Sequence, residues 1–153
     1  MGVEIERKFL VRKELLPRDL PEGDELEQGY LSVEPAVRVR LTTGHDGTRH
    51  AELTIKGPGL LERAEFNYPV PHEDAEALLA LCARRLSKVR RRLGRFELDH
   101  FPDRELWLAE IELRDQRESF ERPAWLGEEV TGDPRYANSS LARASPTPEG
   151  RHA

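Results

Sequence analysis

Along this chain, stretch after stretch alternates charged residues with apolar ones. In VEIERKFLV, Glu4, Glu6 and Lys8 fall on one face of an extended strand and Val3, Ile5, Phe9 and Val11 on the other, because successive strand side chains point to opposite faces. Arg38 and Arg40 oppose Val37, Val39 and Leu41 in the same way, and Glu52, Thr54 and Lys56 oppose Ala51, Leu53 and Ile55. Glu65 and Asn67 oppose Ala64, Phe66 and Tyr68, while Lys88, Arg90 and Arg92 oppose Val89 and Leu93. Glu97 and Asp99 oppose Phe96 and Leu98, and Glu110 and Glu112 oppose Trp107, Ala109, Ile111 and Leu113. A half-buried antiparallel sheet alternates anyway, so one such strand shows only that one face is dry.

Segregation by sign says more. Residues two apart on a strand face lie roughly 6.5–7 Å apart, and like charges so placed repel, whereas a face selected for stability mixes signs. Glu4 pairs with Glu6 and Glu110 with Glu112, while Arg38 pairs with Arg40 and Lys88 stands with Arg90 and Arg92. Such rows call for ligands of opposite charge.

The order of elements predicts a mainly antiparallel β (α+β) domain. After the first strand, RKELLPRDLPEG carries a helical turn and a loop. Strands follow in ELEQGYLSVE, AVRVRLTT, RHAELTIKG and ERAEFNYPV. PHEDAEALLALCARRLS then changes to helical spacing, with Ala75, Leu78, Leu79, Cys82 and Leu86 on one stripe, acids in the first turn and Arg84 and Arg85 near the end. SKVRRRLGR, FELDHF and ELWLAEIEL read as further strands, PAWLGEEVTGDPRYANSSLARA as short helical pieces, and SPTPEGRHA as a polar tail without fixed structure. The expected division is a domain over residues 1–144 and a flexible tail over 145–153.

Length and composition set the limits. A chain of 153 residues accommodates one core. Its 35% charged residues exceed the usual ~25%, and a net charge of −5 argues against a surface that attracts nucleic acid overall, so any anion site is local. One cysteine rules out an internal disulfide framework. No apolar run approaches the ~20 residues needed to span a bilayer, and the start lacks a basic region followed by an apolar one, so the expectation is a cytoplasmic protein without a signal peptide.

Paired carboxylates suit a hard divalent cation such as Mg2+ or Mn2+, which keeps waters or phosphate oxygens in its remaining positions. Clustered Arg and Lys suit phosphate oxygens. Both on one set of faces imply a metal-bound polyphosphate. The histidines at 45, 50, 72, 100 and 152 show no competing ligand spacing, and Cys82, on the apolar stripe of the helix, reads as core.

EIERKFLV is similar to the E-x-E-x-K signature of the CYTH superfamily, the triphosphate tunnel metalloenzymes. The resemblance continues through RVRL, LTIKG, AEFNYPV, KVRRRL, FELDHF, LAEIEL and WLGEEVTGDPRYANSSLA, spanning Val3 to about Ala142. It implies a closed or nearly closed barrel of about eight antiparallel strands with flanking helices, whose charged faces turn inward to form a tunnel. By the same resemblance Glu4, Glu6, Glu110 and Glu112 hold the metal, with Glu65 toward a second one. Lys8, Arg38, Arg40, Lys56, Lys88 and Arg90 bind the triphosphate, and Arg135 reaches phosphate from the segment before the last helix. Water attacks the terminal phosphorus and pyrophosphate leaves. Lys8 and Lys88 are the candidate catalytic lysines, with Asp99 orienting the base. That base is either Lys88, its pKa lowered by neighbouring cations, or a water on the metal. Arg63, Arg92 and Glu97 are balanced between ligand and solvated charge.

Within that family the compact chain favours hydrolysis of inorganic tripolyphosphate. The alternatives are a class IV-type adenylyl cyclase, a thiamine or nucleoside triphosphatase, and, outside catalysis, a polyphosphate-binding module. The expected partner is a small-molecule triphosphate, with neither nucleic acid nor membrane, for a monomer or homodimer.

Overall fold

Alternating strands with one dry face and one charged face satisfy both when the sheet closes on itself, and the chain does so. The computed structural model describes residues 2–144, so the expected tail at 145–153 lies outside the described residues. Ten strands form among the described residues: β1 (Val3–Val11), β2 (Asp24–Val33), β3 (Ala36–Thr43), β4 (Arg49–Lys56), β5 (Glu62–Val70), β6 (Arg84–Leu93), β7 (Phe96–Phe101), β8 (Leu106–Glu112), β9 (Leu126–Glu129) and β10 (Arg143–Ala144). Helix α1 (His72–Leu81) and helix α2 (Asn138–Leu141) accompany them. The ring runs β6-β2-β3-β4-β5-β1-β8-β7 and returns to β6, every pairing antiparallel, which gives a closed barrel of eight strands. β9 pairs with β1 and β10 with β6 outside the ring.

The apolar faces point outward and are covered in two places. Phe9, Phe96, Leu98, Ala109 and Ile111 pack under Leu113, Trp125 and Leu126 of the segment that follows β8. Val39, Leu41 and Ala51 pack under Ala75, Leu79 and Cys82 at α1. Close approach there depends on Gly29, since a Cβ at that position would lie 2.7 Å from Cys82 Sγ. Cys82 is buried, and its thiol donates to the Leu78 carbonyl at 3.3 Å, as expected of a core cysteine.

Two boundaries differ from the sequence expectation. α1 ends at Leu81, and Arg84, Arg85 and Leu86, expected at the helix end, begin β6 instead. Pairing with Tyr30, Gly29 and Gln28 of β2 takes those residues into the barrel ladder, so the ring overrides the local helical spacing. LGEE, expected within a helical region, is β9, because it finds the free stretch of β1 between Phe9 and Val11. Among the described residues no helix is long and apolar enough to cross a membrane.

The inward face is charged over most of the lumen and apolar toward α2. Leu86, Phe101 and Leu108 cluster there with Val130, Leu141 and Ala142, and Leu10, Tyr30 and Tyr136 pack against them.

Candidate active site

The inward rows enclose a cavity of about 480 Å3. Ten residues expected at a metal-polyphosphate site line it: Glu4, Glu6, Glu65, Glu110 and Glu112 among the acids, and Lys8, Arg38, Arg40, Lys56 and Arg90 among the cations. Barrel register explains how the like-charged rows are tolerated. Lys8 sits opposite Glu110, Arg40 opposite Glu52, Lys56 opposite Glu65 and Arg90 opposite Asp99, so repulsion along each strand meets attraction across it. The resulting ion pairs include Lys56–Glu4 at 3.2 Å, Arg63–Glu4 at 3.4 Å, Lys8–Glu110 at 3.4 Å and Arg40–Glu52 at 3.0 Å.

The carboxylates fall into two groups. Glu4 and Glu65 are both engaged by Lys56. Glu6, Glu97 and Glu110 instead bring one oxygen each to within 4.8 Å of one another. Burial, then Glu110 and Glu4, push the Glu6 carboxyl up to about 8. Burial also works against Glu110, but Lys8, Lys88 and Arg90 outweigh it and hold that carboxyl down at about 2. The Glu112 carboxyl is likewise raised, by burial and by Glu4 and Glu65. Arg90 flanks Glu97 and Glu110, and Lys8 flanks Glu110, but the three converging hard oxygen donors still form a donor set that fits a divalent ion.

A family model for the CYTH domain matches residues 2–144. The chain belongs to the CYTH family. It is 36% identical over 152 residues to an inorganic triphosphatase of Acetivibrio thermocellus, covering 94% of this chain and 95% of that one. It is 35% identical over 157 residues to an inorganic triphosphatase of Nitrosomonas europaea, covering 94% and 99%. The crystal structure of an inorganic triphosphatase superposes with a TM-score of 0.59 at 32% identity, covering 94% of this chain and 97% of the other. CYTH membership implies a divalent metal, in keeping with the carboxylate cluster.

Two residues that the CYTH resemblance marks as catalytic do not line the cavity. Lys88 and Asp99, with side chains 1% and 3% exposed, form a 2.8 Å ion pair outside its lining. The Lys88 ammonium lies 5.6 Å from the Phe101 ring, at the apolar end of the lumen, and donates to Asn138 Oδ1 at 3.3 Å. Burial lowers the Lys88 ammonium to about 8, with Asp99 opposing and Arg90 assisting, so desolvation rather than the neighbouring cation is its main cause. Asp99 also takes two hydrogen bonds from Arg90, each 2.8 Å. Arg90 extends from there to Glu97 at 3.1 Å and Glu110 at 3.5 Å. Lys88 and Asp99 therefore anchor an arginine that itself lines the CYTH cavity.

Arg135, expected on phosphate, is also elsewhere. Its side chain is 75% exposed, bound to Asp133 at 2.8 Å, and lies outside the cavity lining. Asp133 accepts from the Arg135 backbone N–H as well, which fixes the arginine over the short turn Pro134–Tyr136. Arg135→Ala is expected to leave the Kd of an inorganic polyphosphate probe within about twofold, as for an exposed pair of small net value. Arg38→Ala is expected to raise it at least tenfold, as for a lost hydrogen-bonded charge. Calorimetry on the two variants checks the contrast.

Arg63 and Glu97, balanced on sequence, both line the CYTH cavity, and Arg92 points to solvent while pairing with Glu97. Tyr30, Thr54 and Asn67 line it too. Strand parity is the signal for them: Tyr30 lies cross-strand from Arg38, Thr54 also pairs with Arg38, and Asn67 pairs with Thr54.

Proposed function

We propose that the protein hydrolyses inorganic tripolyphosphate to pyrophosphate and phosphate, with Mg2+ or Mn2+ as its metal. The observation that carries this reading is the cavity itself, where a cluster of Glu6, Glu97 and Glu110 faces the cations Lys8, Arg38, Arg40, Lys56 and Arg90. The relatives named as inorganic triphosphatases support it. So does the lining, in which Tyr30 is the one aromatic side chain among the described residues, leaving little there on which a nucleotide base or thiazole would stack.

Glu6, Glu97 and Glu110 would hold the metal, with Glu4, Glu65 and Glu112 close by on the same wall. When bound, it supplies Lewis-acid polarisation of phosphate oxygens. Arg38, Arg40, Lys56, Lys8 and Arg90 bind the remaining oxygens and stabilise charge on the leaving pyrophosphate as water adds to the terminal phosphorus. Thr54 accepts from Arg38 at 2.9 Å and donates to Asn67 at 2.6 Å, which aims the guanidinium into the cavity. Lys8 donates to the Tyr136 carbonyl at 2.9 Å and pairs with Glu110, so its ammonium is fixed at the lumen wall. Lys88 and Asp99 act through Arg90 as positioning residues.

The test supplies tripolyphosphate, ATP and thiamine triphosphate with Mg2+ or Mn2+ and measures phosphate, pyrophosphate and cyclic AMP. Equal amounts of phosphate and pyrophosphate from tripolyphosphate, stopped by chelator, are expected. Cyclic AMP formed from ATP with a higher kcat/KM would overturn the assignment.

A further inference from the structure

We infer that the outside of the barrel carries a second binding site, which takes an α-amino acid with an apolar side chain, its carboxylate on Arg122 and its ammonium on Glu121. The turn between β6 and β7 and the segment that follows β8 border a groove of about 600 Å3, a size usual for small-molecule sites. Phe96, Ile111, Phe120 and Trp125 line it. Their rings meet edge to face, Phe96 with Trp125 at 5.2 Å and with Phe120 at 6.0 Å between centroids, so the groove suits a further apolar or aromatic group. It stands apart from the polyphosphate cavity. Phe96 and Ile111 are cross-strand partners on the outer face of β7 and β8, whereas their neighbours Glu97 and Glu110 line the lumen.

Charge at the rim names the ligand. Arg95, Glu121 and Arg122 are the charged side chains of the lining. Arg95 is spent within the protein, on Glu118 at 2.8 Å and on the Glu112 carbonyl at 2.8 Å. Arg122 lies 4.8 Å from the Phe120 ring and 5.3 Å from the Phe9 ring, yet makes no hydrogen bond or ion pair among the described residues. Glu129, the acid on which it acts electrostatically, is held through both oxygens by Arg7. Glu121 likewise makes no hydrogen bond or ion pair among the described residues. One uncommitted cation and one uncommitted anion thus flank an aromatic groove. A carboxylate accepts from the guanidinium and an ammonium donates to the glutamate. A ligand that carries both on one carbon, with an apolar side chain for the groove, is an α-amino acid. An anion or a cation alone would meet one rim charge and be repelled by the other.

Calorimetry with L-phenylalanine as the probe is expected to give a Kd below about 1 mM. Phenylpropionate, which lacks the ammonium, and phenethylamine, which lacks the carboxylate, are each expected to bind at least about fivefold less tightly, the loss of a hydrogen bond to a charged group. Glu121→Gln is expected to abolish the advantage of L-phenylalanine over phenylpropionate, and Arg122→Gln its advantage over phenethylamine. Both side chains are exposed, and each comparison is made within one variant, so a change in folding does not mimic the result. Tripolyphosphate is expected to leave the bound probe in place. No binding of L-phenylalanine in the millimolar range overturns the inference, as does phenylpropionate binding as tightly as L-phenylalanine. Displacement of the probe by tripolyphosphate moves it into the barrel cavity and overturns the outer site. Sedimentation that shows dimers of the natural protein and monomers of Arg122→Glu assigns the groove to a second copy of the chain and overturns the amino-acid site as well.

Discussion

Glu6→Gln is expected to stabilise the metal-free protein at neutral pH and to lower tripolyphosphate turnover on the order of 10^2–10^3-fold, the scale of losing one charge-stabilising group. The two effects have one origin. Glu6 is half-buried beside Glu4, Glu97 and Glu110, and its carboxyl is pushed up to about 8 from an ordinary 4.5. In the folded metal-free state it holds its proton, whereas in the unfolded chain it has released it above about pH 4.5. Its contribution to stability is thus complete below pH 4.5 and is lost as pH climbs toward 8. Glutamine has no proton to lose, so the variant's thermal midpoint is expected to stay flatter across that window, while the natural protein's falls. Added Mg2+ is expected to raise the midpoint of the natural protein and to do less for the variant, because binding to the folded state stabilises it. Melting curves at pH 5, 6.5 and 8, with chelator and with Mg2+, decide the matter. Identical pH dependence in the two proteins would remove Glu6 from the carboxylate cluster.

What was legible in the sequence was the parity of each strand. Parity places Glu4, Glu6 and Lys8 on one face whatever the strand pairs with, and closure of the ring then puts that face inside. Cross-strand partners are a different matter. Nothing local to FELDHF says that Glu97 will meet Glu6 and Glu110, because that meeting depends on β7 pairing with β8 and β8 with β1. Depth along the lumen is hidden for the same reason. Lys88 and Arg90 share a strand face, yet Arg90 lines the cavity and Lys88 sits farther along the lumen near Phe101, since the apolar inward residues of several strands collect at that end. Arg135 was drawn toward phosphate by its segment's resemblance, but Asp133, two residues before it, captures the guanidinium. The early start of β6 has a tertiary cause as well: Arg84–Leu86 have helical spacing with α1 and become strand only because β2 lies alongside.

Asp99→Asn is expected to cost on the order of 3–5 kcal/mol of stability, the range for breaking a buried ion pair on one side. Asp99 is the carboxylate that meets both Lys88, at 2.8 Å, and Arg90, through two hydrogen bonds. Burial alone would raise its carboxyl, but those two cations hold it well below the ordinary range. Its contribution is therefore present above pH 4 and is lost as pH falls below that. Asparagine keeps the shape and strands two buried cations. Lys88 can shed its proton, being already lowered to about 8, but Arg90 cannot, and it still has Glu97 and Glu110 within reach. Arg90 is thus expected to swing toward those acids, disordering the carboxylate cluster and lowering kcat along with stability. Lys88→Met in the same background removes one of the stranded charges, so the double variant is expected to recover part of the lost stability while kcat stays low, because Arg90 remains unanchored. Urea unfolding and steady-state kinetics on the natural protein and the two variants separate the effects. An Asp99→Asn protein as stable as the natural one would show that the Lys88–Asp99–Arg90 cluster does not hold the wall of the cavity. A double variant recovering full turnover would show that Arg90 needs no anchor there.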